Sequence, residues 1–147
     1  MPYVVWTSDD GNVRVRPVAV HHEPEPEAAA YRIETPDAVF VISGDTRVCT
    51  EVEQSAVGAV VLVHEACRTS AMQPLITGTV FEQICYHADT FELGRMAACA
   101  GVPHLLLTHL IPPPEGTDDA AGFLRDVRDG GYAGQVTAGA DLTRVSF

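Results

Sequence analysis

The stretch AVFVISGDT, residues 38–46, decides the fold of this 147-residue chain. Its first five residues are apolar, and such a run is typical of a strand buried on both faces of a parallel sheet. Gly44 then allows a tight turn, because a residue without a side chain accepts a positive φ angle. Asp45 is therefore predicted to lie just beyond the carboxyl end of the strand, where open α/β sheets bind their ligands.

Two later runs repeat this arrangement. Residues 59–63 are followed by His64, and residues 102–108 are followed by His109. Carboxylate oxygens and neutral imidazole nitrogens are ligands that zinc and similar divalent ions accept. Each of these residues, taken singly, could equally cap a strand or begin a turn. Their recurrence at three strand ends predicts a metal site that includes Asp45.

A helix is predicted between the first two runs, over residues 50–57, and Gly58 ends it. Its apolar stripe consists of Val52, Ala56 and Val57. A strand, a helix and a strand at this spacing form a right-handed βαβ unit with parallel strands. Asp45 and His64 are therefore predicted to lie on the same edge of the sheet.

Hairpins are predicted before this unit. Residues 3–7 and 13–20 flank an Asp-Gly pair, which is a strong turn signal. Residues 31–34 and 38–42 flank a Thr-Pro-Asp turn and form a second antiparallel pair. The sheet is therefore predicted to be mixed.

His87 lies shortly before a helix that begins with the capping-box sequence DTFE, residues 89–92. The helix ends at Gly101, and its predicted apolar stripe consists of Phe91, Met96, Ala97 and Ala100. Since a helix N-terminus favours anions, His87 is predicted to donate a proton to an oxyanion leaving group there.

The remaining segments are predicted as follows. Residues 67–86 have no clear period and are expected to line the site as a loop. Residues 118–127 form a helix, and residues 135–138 and 142–147 form short closing strands. The core face of this last helix consists of Phe123, Leu124 and Val127.

Four motifs then carry a family resemblance: SGDTRV at residues 43–48, VHEA at 63–66, YH at 86–87 and LLLTHL at 105–110. They occur in the order seen in the metallo-β-lactamase-fold hydrolases, and the chain resembles the branch with ribonuclease Z and arylsulfatase-type enzymes. The resemblance corresponds only to the C-terminal half of that family. It implies an α/β fold in a single domain over residues 1–147, half of an αββα sandwich, with a mixed sheet and helices on one face.

The same resemblance implies a role for each matched residue. Asp45 corresponds to a carboxylate that bridges two Zn²⁺ ions, and His109 corresponds to the last histidine ligand. His87 matches a histidine that helps the leaving group depart, and Glu65 matches a carboxylate that orients a neighbouring histidine. In the complete site a water activated by Zn²⁺, or by another ion such as Mn²⁺, is the nucleophile.

Three further histidines are predicted to form a wall of the pocket. In the family, a histidine followed by a proline-containing loop and a Tyr-Arg-Ile strand recurs where His21 and His22 stand in this chain. His64 is the third residue of this predicted wall. A pair of histidines in an acidic, proline-rich loop is also often simply solvated, and this alternative stays open.

The family's H-x-H-x-D-H motif is absent from all 147 residues. Only two of the usual metal ligands remain, and a catalytic zinc needs about three. Two hypotheses follow. In the first, the chain is half of a metal-dependent hydrolase of phosphodiesters or sulfate esters and needs a complementing N-terminal half. In the second, it is a non-catalytic remnant that acts as a homo-oligomeric binding or structural module.

Charge and composition limit the partners. Twenty acidic residues against nine basic ones give a formal net charge of −11, and such a chain repels nucleic acid on average. RNA is therefore a possible but not a favoured substrate beside small esters.

The N-terminal residues show neither a signal peptide nor a membrane span, so a cytoplasmic location is expected. The cysteines are predicted to be reduced core thiols: Cys49, Cys67, Cys85 and Cys99.

Overall fold

One mixed sheet organises the computed structural model, which describes residues 3–25, 27–72 and 86–147. Within these residues the sheet has seven strands that lie side by side in the order of the chain. They are β1 Trp6–Thr7, β2 Arg14–Ala19, β3 Ala29–Glu34, β4 Val39–Ile42, β5 Val61–Cys67, β6 His104–Ile111 and β7 Gln135–Ala138. The first four strands pair antiparallel, and β4 to β7 pair parallel. The predicted mixed α/β sheet is confirmed.

The helices of the described residues pack on one face of this sheet. They are α1 Thr50–Ala56, α2 Thr69–Met72, α3 Thr90–Ala100 and α4 Thr117–Asp129. α3 contacts both α1 and α4, and these three helices also contact the strands. The core between helices and sheet is apolar and includes the fully buried side chains of Val41, Leu62, Leu93, Leu105 and Val127. None of the described helices is long and apolar enough to cross a bilayer.

The opposite face of the sheet has no helix of the described chain packed on it, and we call it the open face. Cross-strand neighbours on this face are Tyr31, Ile42, Val63 and Leu106. Tyr31 is 43% exposed and Ile42 is 40% exposed, although the neighbouring residues Ala30 and Val41, which face the helices, are completely buried. Because side chains alternate along a strand, the apolar run of β4 supplies both the core and this exposed surface.

Two strands are longer than predicted. The pattern predicts that β5 ends before His64, but the strand continues to Cys67 and pairs with β6 along its length. His64 therefore lies inside the strand and is fully buried, so its predicted place at a strand end is wrong. β6 likewise continues past His109 to Ile111. Beyond Val63 and Leu107 these two strands pair with each other, and a polar residue does not end a strand whose backbone groups are satisfied by such a ladder.

Other predictions also differ from the structure. Residues 142–147 form no strand, and the ring of Phe147 instead lies edge-on to Phe40 on the open face, with 4.9 Å between ring centroids. Phe91 is 43% exposed and Val57 is 58% exposed, so neither belongs to a core stripe. Cys99 is exposed. These positions lie at helix ends or on outer faces, where the helical period turns the side chain away from the sheet.

Several local predictions are confirmed. Gly44 has a φ of 62°, and a side chain there would meet the Ala29 carbonyl at 2.9 Å. Asp89 caps α3, because its Oδ1 accepts hydrogen bonds from Phe91 N at 3.0 Å and Glu92 N at 3.1 Å. Cys67 is buried and Cys49 partly so. Cys85 and most of the loop predicted over residues 67–86 lie outside the described residues.

We expect the isolated chain to self-associate, because soluble monomers rarely leave a contiguous apolar surface such as the open face in water. Sedimentation velocity at micromolar concentration should show dimers or larger species, and Ile42→Lys should shift the distribution towards the monomer. Val57→Lys is the matched control, since Val57 is equally apolar and 58% exposed but follows α1 on the helical side. A folded wild-type monomer would contradict this expectation.

Candidate functional site

Three neighbouring strands bring the candidate residues to one edge of the sheet. Asp45 follows β4, Glu65 lies towards the carboxyl end of β5, and His109 lies towards that of β6. Because these strands run parallel, their carboxyl ends meet at the same edge. There the Oδ2 of Asp45 lies 3.5 Å from the Nε2 of His109, and both side chains are about half exposed.

His109 reaches this position through a β-bulge. The β5–β6 ladder shifts its register between Glu65 and Ala66, so His109 is the extra residue of β6. Its φ is 44°, in the left-handed region that residues other than glycine rarely adopt. Bulges re-aim side chains and are common beside active sites. The strained backbone at this point therefore coincides with the approach of His109 to Asp45.

The carboxylate of Glu65 holds this edge together. It is 1% exposed, and its Oε1 accepts a hydrogen bond from Thr46 N at 2.8 Å and lies 2.9 Å from His87 Nδ1. Its Oε2 accepts a hydrogen bond from Ala88 N at 3.3 Å. One buried side chain thus ties the turn after β4 and the residues before α3 to β5.

The hydrogen-bonded pair of Glu65 and His87 has altered acidity. Burial raises the pKa of Glu65 to about 7; the nearby charge of Asp45 also raises it, and its backbone hydrogen bonds oppose this. Burial lowers the pKa of His87, and the charge of His22 adds to this effect. These opposite shifts of the two pKa values favour a proton on Glu65 over a proton on His87, the reverse of the usual order for a carboxyl and an imidazole.

Three imidazole rings form a row at this edge. The ring centroids of His22 and His87 are 5.0 Å apart, and those of His87 and His109 are 5.4 Å apart. His22 is partly buried, and its Nδ1 lies 3.4 Å from the carbonyl oxygen of Tyr86. Of the three residues of the predicted pocket wall, His22 is the one that borders the cluster.

The other two residues of the predicted wall lie elsewhere. The Nε2 of His21 faces Glu51 of α1 at 3.4 Å, and both side chains are about half exposed. His64 is fully buried on the helical side, with its Nδ1 2.8 Å from the Glu65 carbonyl oxygen. Burial lowers the pKa of His64 to about 4, and its Nε2 has no hydrogen-bond partner among the described residues.

The N-terminus of α3 is capped by Asp89. Its first free N–H groups, those of Phe91 and Glu92, already bond to the Asp89 carboxylate, which also accepts a hydrogen bond from the Thr69 hydroxyl. These two N–H groups are therefore satisfied within the chain, and proton donation by His87 to an oxyanion at this helix end stays a prediction. The contact with Glu65, and not the helix end, positions His87.

Sequence reasoning missed two polar residues that support the site. Thr46 is fully buried, and its Oγ1 accepts a hydrogen bond from His21 N at 3.1 Å. Ser43 Oγ accepts one from Glu65 N at 3.1 Å. Both belong to the SGDT motif. The polar residues that directly follow the buried strand in this motif could have indicated their supporting role.

Across residues 3–25, 27–72 and 86–147, no group of three or more His, Cys, Asp or Glu side chains is arranged to hold a metal ion.

The left-handed backbone of His109 leads to a prediction about stability. We expect His109→Gly to be more stable than His109→Ala by about 0.5–1 kcal/mol, because glycine adopts a positive φ without steric cost. Urea unfolding of the two variants measures the difference, and both lack the imidazole. Equal stabilities, or a more stable alanine variant, would show that the bulge carries no strain.

The role of Glu65 leads to a second prediction. Glu65→Ala leaves the N–H groups of Thr46 and Ala88 buried without an acceptor, and we expect it to lower the free energy of unfolding by about 2–4 kcal/mol. Glu65→Gln keeps an acceptor oxygen and should cost less than half as much. Glu92→Ala, at an exposed position on α3, is the control and should change stability by about 0.5 kcal/mol or less.

The raised pKa of Glu65 gives this prediction a pH dependence. Since the folded state holds the Glu65 proton more tightly than the unfolded chain, the contribution of Glu65 to stability falls as pH rises from about 4.5 to about 7. The stability of Glu65→Gln relative to wild type should therefore improve between about pH 5 and about pH 8. An unchanged difference across this range would contradict the raised pKa.

Comparison with known proteins adds to this geometry. No protein-family model matches the chain. The ribonuclease Z of Mycobacterium sp. (strain KMS) is 34% identical to it over 142 residues, which are 97% of this chain and 48% of that protein. The chain thus spans about half the length of the curated relatives it matches.

Solved structures share the fold. The metallo-β-lactamase fold protein YhfI from Bacillus subtilis superposes with a TM-score of 0.65 at 22% identity, covering 89% of this chain and 48% of that one. The short form of human tRNase Z gives 0.55 at 17% identity, covering 74% and 39%. The resemblance inferred from the four motifs is confirmed. The chain shares the metallo-β-lactamase fold of these structures and, over nearly its whole length, is similar to about half of ribonuclease Z.

Proposed function

We propose that this chain supplies the C-terminal half of a metal-dependent phosphodiester hydrolase, which becomes active with a complementing N-terminal half. The observation that carries this proposal is the convergence of Asp45, His109, His87 and Glu65 at one sheet edge. Similarity to ribonuclease Z supports RNA as the substrate class, ahead of sulfate esters. The net charge of −11 is an average over the chain and does not describe this edge.

The residues present fit part of a metal site. Two ligand atoms of one tetrahedral zinc ion lie about 3.4 Å apart, and Asp45 Oδ2 and His109 Nε2 are 3.5 Å apart. Asp45 and His109 would hold Zn²⁺, or Mn²⁺ in its place, and Asp45 would bridge to a second ion. No group of three or more candidate ligands is arranged for a metal ion among the described residues, so in this proposal the remaining ligands would come from elsewhere. When bound, such ions supply a water of lowered pKa and offset the charge of the phosphate.

The other two residues act on the leaving group in this proposal. His87 directs Nδ1 towards Glu65, so its Nε2 is the nitrogen left to donate a proton to the departing oxygen. Glu65, with a pKa of about 7, then returns a proton to Nδ1. In the turn after β4, Thr46 N donates a hydrogen bond to the same carboxylate. Glu65 therefore fixes the position of Asp45 relative to His87.

The exposed apolar side chains of the open face favour a second candidate function. In this alternative the chain is a homo-oligomeric binding or structural module, and the open face packs against a second copy. Tyr31 and Ile42 are too exposed for an isolated monomer to leave them uncovered. The homo-oligomer and the cytoplasmic location stay predictions.

Reconstitution tests the proposed function. A family N-terminal half carrying H-x-H-x-D-H is added to the chain, and we expect metal-dependent hydrolysis of bis(nitrophenyl) phosphate. Asp45→Ala should abolish both activity and tight metal binding, because a bridging carboxylate holds both ions. His109→Ala should lower the metal content by one ion. His87→Ala should slow turnover by about 10²- to 10⁴-fold and leave the metal content unchanged.

Metal analysis of the isolated chain is the companion measurement. With only Asp45 and His109 available, we expect well below one zinc per chain after dialysis. Equal loss of metal in all three variants of the complex would contradict the role of His87. Inactivity of every mixture, together with a folded homo-oligomer, would favour the structural alternative.

A further inference from the structure

Residues 139–147 follow β7 and cross the open face, and we call them the strap. The strap begins at the carboxyl end of β7, where Gly139 N donates a hydrogen bond to Leu107 O at 2.8 Å. Further along, the ring of Phe147 lies edge-on to Phe40 of β4, with 4.9 Å between ring centroids. Since β5 and β6 lie between β4 and β7 in the sheet, the strap passes over both of these strands.

Open-face residues beneath the strap are buried, although no described helix covers this side of the sheet. Phe40, Val61 and His104 pair in register on β4, β5 and β6, so their side chains form one row across the face. Val61 is 2% exposed and His104 is 4% exposed. Tyr31 and Ile42, in the next row, stay exposed. The strap therefore covers one part of the open face and leaves another part in water.

The strap is held loosely. A cavity of about 440 Å³ lies between residues 139–143 of the strap and the sheet, where Val63 and Leu106 line it. Leu142 of the strap is 96% exposed, and Phe147 is 74% exposed despite its ring contact. The position of the strap over the face therefore depends on the contact of Phe147 with β4.

One polar atom beneath the strap lacks a partner. The Nε2 of His104 lies 2.9 Å from the Thr137 hydroxyl, but the buried Nδ1 has no hydrogen-bond partner among the described residues. Burying a polar atom without a hydrogen bond costs free energy, and displacement of the strap would return this atom to water. This cost offsets part of the stabilisation that the ring contact provides, so the strap is displaced at a small cost in free energy.

The surface that the strap partly covers is uncharged. The row through Phe40 runs from Trp6 to Gln135, and the row through Ile42 runs from Pro17 to Thr137. Neither row contains an Asp, Glu, Lys or Arg residue. Two copies of a chain with a formal net charge of −11 repel each other on average, so they can approach best through an uncharged face. A face of this kind can also pair with itself across a two-fold axis.

We propose that the strap shields the open face from a second copy of the chain and is displaced when two copies associate. With Phe147 on Phe40, the row through Phe40 is shielded and self-association is limited. With the strap displaced, this row and the row through Ile42 form one continuous uncharged surface, which the second copy buries. The inference concerns the isolated chain and does not depend on the proposed hydrolase activity.

Sedimentation velocity of the full chain over a range of concentrations tests this inference. Phe147→Ala removes the ring contact and should lower the dissociation constant of the dimer by about 2- to 10-fold per chain, the value of one aromatic pair. Leu142→Ala is the matched control, because Leu142 belongs to the strap but is 96% exposed, and it should leave the constant unchanged. A distribution of species that Phe147→Ala leaves unchanged or shifts towards the monomer would overturn the inference.

NMR of the His104 imidazole gives a second readout, in dilute samples where the chain is monomeric. Burial lowers the pKa of His104, so release of the strap in Phe147→Ala should raise this pKa towards its ordinary value. Leu142→Ala should keep the pKa of the wild type. The same pKa in wild type and Phe147→Ala would mean that the strap does not cover this row, and the inference would be overturned.

Discussion

The buried carboxylate of Glu65 is the interaction on which the site depends. Burying a carboxyl group is costly unless hydrogen bonds replace its water, and here two backbone N–H groups and one imidazole do so. The contacts come from two segments, the turn after β4 and the residues before α3, so the cost of burial is offset only when both are in place. The same constraint shapes the turn after β4, the approach to α3 and the orientation of His87.

The strained backbone of His109 is a second constraint on the site, beside the buried carboxylate of Glu65. The bulge that aims His109 at Asp45 also forces its backbone to a φ of 44°, which a non-glycine residue adopts at some cost in stability. On the same two strands, the hydrogen bonds of Glu65 and the burial of Leu62 and Leu105 stabilise the fold and offset this cost. The candidate residues Glu65 and His109 therefore lie where β5 and β6 leave regular pairing.

Two features of the chain are incomplete, and a second sheet packed on the open face would complete both. In the part of the chain that the structure describes, the open face has no covering layer and the pair of Asp45 and His109 has no further metal ligands. A second sheet against the open face would bury Tyr31 and Ile42 and would stand beside the edge that carries the pair. Folding of the whole domain and assembly of the site would then be coupled, because one interface would complete both.

The sequence by itself determined the mixed sheet, the helix caps and the position of Asp45, because these follow from local periodicity, turn chemistry and the φ freedom of Gly44. It also placed Glu65 and His87 among the candidate residues through the order of the motifs. Only the tertiary structure decided that His64 is a core residue and that His109 sits in a bulge. Strand length and register depend on the neighbouring strands, and β6 extended the ladder beyond the polar residues that looked like an end. For the same reason only the tertiary structure decided the contacts of Glu65 and His22 with His87, because these residues lie far apart in the chain.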